Sequence, residues 1–297
     1  MLKRNAGFLR KRGVNFVPHR ETRLQFTVQL QYNSLLKRGK KHRLRIDDAT
    51  LRSRTKEFFE KVTKNAPDRL ILSDENLAGH CGQCVRDGVL YPLRGDLMEL
   101  FAREIPYPVT EVHLSIRNYA DFFAAAYVEF IRSFRSRTQA SSFVGEGEMK
   151  DIILKAPPRW SDTLKDVKGA FPSARLIVWR YEDFRTLEPR ILQNLCGSAI
   201  DVKDLSSPKS SQSRPTASGE AVRHMLALVQ AQGVQAFVEQ RTEIQKQYPR
   251  DGGWGRYDPW EKHERAKLEE AYAQDWERIK HDPGFETLEP AVSEEVL

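Results

Sequence analysis

The spacing of the apolar positions changes abruptly within the segment 111–134. Over 111–116 every second residue is apolar, which predicts a β-strand. Beyond Arg117 the apolar residues follow helical spacing for about four turns, which predicts an amphipathic helix. Arg117 is therefore predicted at the carboxyl end of a strand, beside the start of a helix. Such a position favours anion binding in an open α/β sheet, although an arginine there also caps loops or pairs with surface carboxylates.

Three further short apolar runs predict strands at 14–17, 69–73 and 175–181. The last of these runs, RLIVWRY, is apolar enough to be buried on both faces of a sheet. Residues 74–91 are predicted as a loop. Strands that alternate with helical segments are typical of an α/β domain with a parallel sheet. Predicted helices cover 2–12, 22–31, 48–65, 93–103, 147–156, 159–170, 186–196, 219–232, 234–248 and 260–280.

These elements divide the chain into four parts. Residues 1–197 form the predicted α/β core, a short parallel sheet flanked by helices. Residues 198–217 are rich in Ser, Pro and Lys and are predicted to be a loop. Residues 218–290 supply C-terminal helices that are expected to pack on the same domain, and 291–297 form an acidic tail that is predicted to be mobile.

Composition narrows the class of protein. No run approaches the roughly 18 apolar residues that a membrane helix needs. The first residues, MLKRNAGFLRKRG, carry charges with no apolar stretch behind them, which excludes a secretion signal. Three cysteines are too few and too unevenly spaced for a disulfide framework. These features predict a cytoplasmic protein without a transmembrane segment, and they leave the oligomeric state open.

Positive charge is concentrated near the N-terminus. The chain carries a formal net charge of +7, and residues 1–54 contain fifteen Lys and Arg against three acidic residues. A basic segment of this kind attracts nucleic acid, anionic lipid or a polyanionic small ligand. Its aromatic residues do not follow any pattern of a nucleic-acid-binding motif, so no nucleic-acid partner is expected. A solvated basic face explains most of these charges.

Five segments follow one another along the chain: RLILSDENL at 69–77, LYP at 90–92, SIRNYADFFAAAY at 115–127, WRYEDF at 179–184 and LEEAYAQDW at 268–276. Together and in this order they resemble one enzyme family, the bacterial sulfotransferases that use 3′-phosphoadenosine 5′-phosphosulfate. The resemblance implies a P-loop-like three-layer fold and sulfuryl transfer to a hydroxyl of a carbohydrate or glycolipid acceptor. The segment around 180–182 mainly shapes the fold in that family, which implies a structural Arg180–Glu182 pair.

The same resemblance assigns the residues that bind the co-substrate. In the family an arginine at the end of the strand and a serine farther along the helix hold the 3′-phosphate. Arg117 matches the arginine, and a planar guanidinium suits a phosphate. Ala125 occupies the serine position and has no hydroxyl, so Ser115 and Tyr127 are the candidates to replace it.

The N-terminal part departs from the family. Asn5, Leu9, Gly13 and Pro18 match the end of the family's first helix and its next strand. The strand and phosphate loop that come before this helix in the family have no counterpart in the sequence. We therefore expect either that the coding sequence starts farther upstream or that the chain is a catalytically inactive relative. An in-frame stop codon directly before Met1 would exclude the first explanation.

Sulfuryl transfer requires a base for the acceptor hydroxyl. Glu75 follows the strand 69–73 and is the first candidate for base or acceptor-orienting residue, although a loop acid there also caps a turn. His80 is the second candidate, because its ordinary pKa near ~6.5 suits proton transfer. Ser73 and Asn76 are predicted to contact the acceptor, and Ser73 alternatively only ends the strand.

Two other patterns in the sequence have simpler explanations than a binding site. His80, Cys81 and Cys84 have metal-ligand spacing, but no second Cys or His pair follows, so no metal site is predicted. The aromatic residues Trp260, Tyr272 and Trp276 are expected to pack in the core. Because the phosphate loop is missing, a nucleotide-binding, polyanion-binding or interaction module remains the alternative to an enzyme. A nucleotide-dependent kinase would require the same missing loop.

Overall fold

Five short parallel strands form two sheets in the computed structural model, which describes residues 1–35, 44–134, 143–207 and 217–291. The first sheet pairs β1 with β2, in register from Val14 opposite Arg69. The second has the order β3-β4-β5. The α/β class is thus confirmed, but the predicted single sheet is divided in two. The strands are β1 Val14–Val17, β2 Arg69–Leu72, β3 Glu111–Ile116, β4 Arg175–Arg180 and β5 Glu286–Leu288.

Helices connect the strands and cover both faces of the sheets. A π-helical turn, Arg23–Thr27, joins α2 to α3, and single 3-10 turns follow β4, α10 and α11. The α-helices are α1 Ala6–Arg10, α2 His19–Thr22, α3 Val28–Ser34, α4 Asp48–Thr63, α5 Cys81–Asp87, α6 Arg94–Glu104, α7 Tyr119–Ser133, α8 Glu146–Lys155, α9 Trp160–Ala170, α10 Phe184–Cys196, α11 Gly219–Gln247 and α12 Lys262–His281.

The two faces of the sheets carry separate apolar clusters. The main core lies on one face and joins helices α3 to α9, α11 and α12 through residues such as Phe59, Phe123 and Leu268. On the opposite face, Leu9 of α1 and Leu192 of α10 pack against Ile71 of β2. Successive residues of a strand point to opposite faces, so β1 and β2 contribute to both clusters. Strand β4 likewise contributes Leu176 and Val178 to the main core, and Ile177 and Trp179 to a third, smaller cluster.

The predicted strand-to-helix transition around Arg117 is confirmed. β3 ends at Ile116 and α7 begins at Tyr119, and the side chain of Asn118 caps the helix by accepting a hydrogen bond from the Ala120 amide at 2.9 Å. Nearly every apolar residue of α7 is buried, which fits its helical apolar face. The junction is therefore built from local sequence signals and anchored by the core.

Among the other predictions of helices, strands and loops, some are corrected by the structure and some are confirmed. The loop predicted over 74–91 contains helix α5, and β5 was not predicted at all. The predicted break between the helices 219–232 and 234–248 is confirmed, because Gly233 has φ 84° and ψ 171° within α11. Burial of Trp260, Tyr272 and Trp276 is also confirmed. Residues 208–216 of the predicted loop and 292–297 of the predicted tail lie outside the described residues.

None of the helices in the described part of the chain combines the length and the apolar character needed to cross a bilayer.

Candidate functional site

Arg117 follows β3 directly and is half-buried. Its guanidinium carbon lies 5.1 Å from the centroid of the Tyr181 ring, an arrangement in which the cation faces the aromatic ring. Its Nε atom is buried without a hydrogen-bond acceptor. Within the described ranges no carboxylate forms an ion pair with this side chain. Arg117 thus has donors that a bound anion would satisfy.

The backbone around Arg117 is held from three directions. Trp160 donates a hydrogen bond from Nε1 to the Arg117 carbonyl at 2.8 Å. The next amide, that of Asn118, donates to Oε1 of Glu182 at 2.9 Å, and Tyr272 donates its hydroxyl proton to Oε2 of the same carboxylate at 3.1 Å. Helices α9 and α12 and the turn after β4 therefore fix the position of the β3–α7 junction.

The prediction that Arg180 pairs with Glu182 is wrong, because Arg180 has a different partner. Arg180 donates from Nε to Asp183 at 2.7 Å, and its guanidinium lies 5.5 Å from the Trp276 ring. Glu182 instead accepts a hydrogen bond from the amide of Asn118. Residues three apart in a helical turn lie on the same side, and the 3-10 turn Tyr181–Asp183 brings Asp183 beneath Arg180.

A second cluster of charges lies at the carboxyl end of β2. Asp74 is buried and accepts hydrogen bonds from Arg23, from the hydroxyl of Thr27 and from the Asn76 amide, the last at 3.0 Å. Burial opposes the charge on Arg23, but its hydrogen bonds to Asp74 and Glu75 raise its pKa overall. Neither Asp74 nor Arg23 was predicted as part of a site. The acid in the strand-end motif SDEN was the available signal for Asp74, whereas Arg23 comes from the distant π-helical turn.

Glu75 is the exposed member of this cluster. Its side chain is 62% exposed, and its carboxylate lies 2.8 Å from Arg23. The buried Asp74 thus has the structural role that was the alternative for Glu75, since it accepts the turn-closing bond from Asn76. Glu75 is consequently accessible to a solute at the carboxyl edge of β2, with Arg23 orienting it.

The two predicted acceptor-contacting residues are half-buried in the same loop. The Ser73 amide donates to the Val17 carbonyl at 3.3 Å, which continues the pairing of β2 with β1. The Asn76 carbonyl accepts bonds from the Gly79 amide at 3.0 Å and from the side chain of Gln31. These contacts engage backbone groups, so the Ser73 hydroxyl and the Asn76 amide side chain keep their own donors and acceptors.

His80 begins helix α5 as its N-cap. Its Nδ1 accepts a hydrogen bond from the Gly82 amide at 3.1 Å. Burial lowers the pKa of His80 below its ordinary value, so the ring is neutral at pH 7 and carries its proton on Nε2. The lone pair that a base needs is used by the cap, which disfavours His80 as the proton acceptor.

The neighbouring thiols are protonated. Burial raises the pKa of Cys81 to about 11 and that of Cys84 to about 12. Cys84 also accepts a hydrogen bond from the Tyr91 amide at 3.1 Å. In the described part of the chain no three His, Cys, Asp or Glu residues are grouped as metal ligands.

The candidates to replace the missing helix hydroxyl differ in accessibility. Ser115 is exposed on β3, two residues before Arg117. Tyr127 is completely buried, donates its hydroxyl proton to the Val144 carbonyl at 3.1 Å and stacks on Tyr257 at 5.8 Å. Ala125 lies on the exposed side of α7. Ser115 is thus the accessible hydroxyl, and Tyr127 belongs to the core.

Glu75 and its partner Arg23 therefore lie at the carboxyl end of β2. Arg117 and the exposed Ser115 lie at the carboxyl end of β3. The helices that follow these strands, α5 and α7, pack against each other: a Cβ placed on Gly82 would lie 3.7 Å from the Cα of Phe130. An exposed carboxylate thus follows β2, and a half-buried guanidinium follows β3. Comparisons of the chain with protein-family models, with curated proteins and with solved structures found no match.

Proposed function

We propose that the chain is a sulfotransferase-like protein with a P-loop-like three-layer arrangement. In this proposal it transfers a sulfuryl group from 3′-phosphoadenosine 5′-phosphosulfate to a hydroxyl of a carbohydrate or similar acceptor. The observation that carries the proposal is the guanidinium of Arg117, which follows β3, has a buried Nε without an acceptor and forms no ion pair with a carboxylate among the described residues. The planar fork of donors in a guanidinium matches the geometry of a phosphate, which supports this role for Arg117.

The proposed roles follow from accessibility. Arg117 holds the 3′-phosphate of the co-substrate through its fork of donors, and Ser115 supplies the nearby exposed hydroxyl. Glu75, oriented by Arg23 at 2.8 Å, accepts the proton of the acceptor hydroxyl or positions that hydroxyl for attack. The acceptor oxygen forms a bond to sulfur while the bond between sulfur and the 5′-phosphate breaks, which leaves 3′-phosphoadenosine 5′-phosphate.

A second candidate is a catalytically inactive relative that binds a nucleotide or another polyanion. The observation that favours it is the sequence itself, which lacks a Gly-rich phosphate loop and has Ala125 where the resemblance implies a hydroxyl. Both candidates use Arg117 to bind the ligand. They differ only in whether a sulfuryl group is transferred.

The first experiment is a calorimetric titration of the purified chain with 3′-phosphoadenosine 5′-phosphate. We expect binding by the natural protein and a loss of at least about tenfold in affinity for Arg117→Ala, because a charge-assisted hydrogen bond contributes about 1.5–3 kcal/mol. Arg117→Lys keeps the charge but loses the bidentate fork and should show an intermediate affinity.

The matched control is Arg52→Ala, since Arg52 is an exposed arginine of α4 and its removal changes the net charge by the same amount. This variant should bind as the natural protein does. Equal losses in both arginine variants would mean that the ligand responds to overall charge, which would refute a site at Arg117. Absence of binding by the natural chain would refute nucleotide binding by residues 1–297.

Sulfuryl transfer is then tested with Glu75→Gln and labelled co-substrate on a panel of hydroxylated carbohydrates. Transfer that depends on Glu75 supports the enzyme. Binding without transfer by the natural chain supports the inactive relative.

A further inference from the structure

A groove of about 430 Å³ lies beside β1. The backbone of residues 13 and 15–18 borders it, and α1 and the end of α4 contribute the residues that line its two flanks. Its volume falls within the range of about 300–1,000 Å³ that is typical of ligand sites. Neither Glu75 nor Arg117 lines this groove, so it is separate from the site proposed for sulfuryl transfer. We call it the β1 groove.

The backbone of β1 has a free edge in this groove. In the described part of the chain β1 pairs only with β2. The Gly13 carbonyl accepts a hydrogen bond from the Arg69 amide at 3.1 Å, and the Val17 carbonyl accepts one at 3.3 Å from residue 73. The odd-numbered residues of β1 therefore face β2, and the even-numbered ones face away from it. The amide and carbonyl of Phe16, which lines the groove, are thus available to another strand.

Both flanks of the groove are basic. Lys3 and Arg10 line the flank that α1 and the turn before it provide, and Lys61 and Lys64 line the flank at the end of α4. Among the described residues that line the groove, one carboxylate, that of Glu21, forms an ion pair with Lys61 at 2.8 Å. The other three cations are exposed and form no ion pair within the described ranges. An anionic ligand in the groove would therefore meet positive charge on both sides.

The free edge and the two basic flanks together select the class of ligand. Side chains of an extended peptide alternate between two faces, so neighbouring residues of a strand added to β1 would face the α1 flank and the α4 flank in turn. Because both flanks are basic, consecutive acidic residues fit the groove better than alternating ones. Lysines beside a free edge also oppose pairing with uncharged or basic strands. Pro18 takes the next position that faces away from β2 and has no amide donor, so pairing is limited to a short stretch.

We propose that the β1 groove binds a short acidic segment of a partner protein as an added β-strand. The backbone of that segment bonds to the amide and carbonyl of Phe16. Its acidic side chains contact Lys3 and Arg10 on one flank and Lys64 on the other. Because the stretch that can pair is short, charge supplies much of the affinity, and binding weakens as the salt concentration rises. This role uses part of the positive charge of residues 1–54, which the proposed sulfuryl transfer does not use.

The first test is a fluorescence-anisotropy titration of the full chain with a labelled peptide of about eight residues that contains a central run of about four Glu. We expect binding by the natural protein. Arg10→Glu and Lys64→Glu, one on each flank, should each weaken it at least about tenfold, because like charges then face each other. The matched control is Arg52→Glu, an exposed position of α4 that does not line the groove. This variant should bind the peptide nearly as the natural protein does.

A second test separates strand addition from attraction between charges. Two versions of the peptide carry N-methyl groups on alternate amides, one on each of the two alternating sets, so that only one version loses the donors that face β1. We expect their affinities to differ at least about tenfold, although their charges are equal. Hydrogen exchange of the Phe16 amide should also slow at least about tenfold when the unmodified peptide binds, because this amide gains an acceptor. The Asn15 amide, which faces β2, should change less.

Absence of peptide binding by the natural protein would overturn the proposal. An equal loss in Arg52→Glu would show that the peptide responds to overall charge and not to the groove. Equal affinities of the two methylated peptides, with unchanged exchange at Phe16, would refute the added strand. A sulfated oligosaccharide of equal charge that binds as tightly and displaces the peptide would refute a peptide site in favour of a polyanion site. None of these measurements uses a nucleotide, so their outcome is separate from that of the titration at Arg117.

Discussion

A single buried carboxylate joins three helices on the core side of the β3–α7 junction. Asp275 of α12 is 1% exposed and accepts hydrogen bonds from the Tyr119 hydroxyl at 2.7 Å and from the hydroxyl and amide of Ser161 at 2.6 and 3.1 Å. Tyr119 in turn accepts a bond from the Trp160 amide at 3.2 Å. The residue that opens α7 is thus fixed by a polar network inside an apolar core, where unpaired groups are costly.

Removal of this carboxylate should destabilise the protein strongly. Asp275→Ala leaves three donors without their acceptor, each at a cost of about 1–3 kcal/mol when buried, so we expect the free energy of unfolding to fall by at least about 3 kcal/mol. Urea denaturation measures the change, with Asp251→Ala at an exposed position as the control. A loss below about 1 kcal/mol would show that the network does not hold the junction.

At the scale of elements, the local sequence predicted those strands and helices whose apolar residues are regularly spaced. It did not predict the others. The strand RLIVWRY was predicted because burial on both faces of a sheet produces a continuous apolar run. The helix over 119–134 was predicted because burial of one helical face spaces the apolar residues three or four apart. Helix α5 was missed because the segment HCGQCVRDG has little helical period and relies on the His80 cap and on packing against α7. Strand β5 is only three residues long and depends on its partner β4.

Two glycines, one within α1 and one just after it, give opposite predictions for the same substitution to alanine. Gly13, which ends the α1 region, has φ 78°, and an added Cβ would lie 2.1 Å from the Asp68 carboxylate. Gly13→Ala should therefore cost at least about 1–2 kcal/mol of stability. Gly7 lies inside α1 with no atom within 4 Å of an added Cβ, so Gly7→Ala should stabilise by about 0.5–1 kcal/mol. Thermal unfolding of the two variants measures both signs, and a stabilised Gly13→Ala would refute the assigned backbone strain.

For the candidate site, the sequence could place Arg117 and Glu75 at strand ends but could not predict their partners. Whether a strand-end arginine is paired depends on which acids the tertiary structure brings near, and here Glu182 and Asp183 are engaged by Asn118, Tyr272 and Arg180. Similarly, the distant Arg23 lies between Asp74 and Glu75 only because the π-helical turn packs beside β2. Contacts between residues far apart in the chain leave no local period to detect.

At the scale of the whole molecule, the two sheets are joined at their amino ends by charges centred on Glu111. Arg69 of β2 and Arg175 of β4 lie 2.9 and 3.1 Å from its carboxylate oxygens, and His113 Nε2 lies at 3.0 Å. Burial alone would raise the pKa of Glu111, but hydrogen bonds from Arg69 and His113 and the charge of Arg69 outweigh it and lower the pKa to about 2. The ionised carboxylate of Glu111 is thus one of the groups that hold the amino end of β2 near the amino end of β3.

This arrangement predicts a specific acid sensitivity. Because the folded-state pKa of Glu111 lies below its ordinary value of 4.5, its contribution to stability is complete above that value and is lost as the pH falls toward about 2. Urea unfolding of the natural protein and of Glu111→Gln should therefore differ most at neutral pH and converge in acid. Glu57→Gln, at an exposed position of α4, provides the control and should show a small difference that does not change with pH. A constant gap between the natural protein and Glu111→Gln would mean that the charge of Glu111 does not join the sheets.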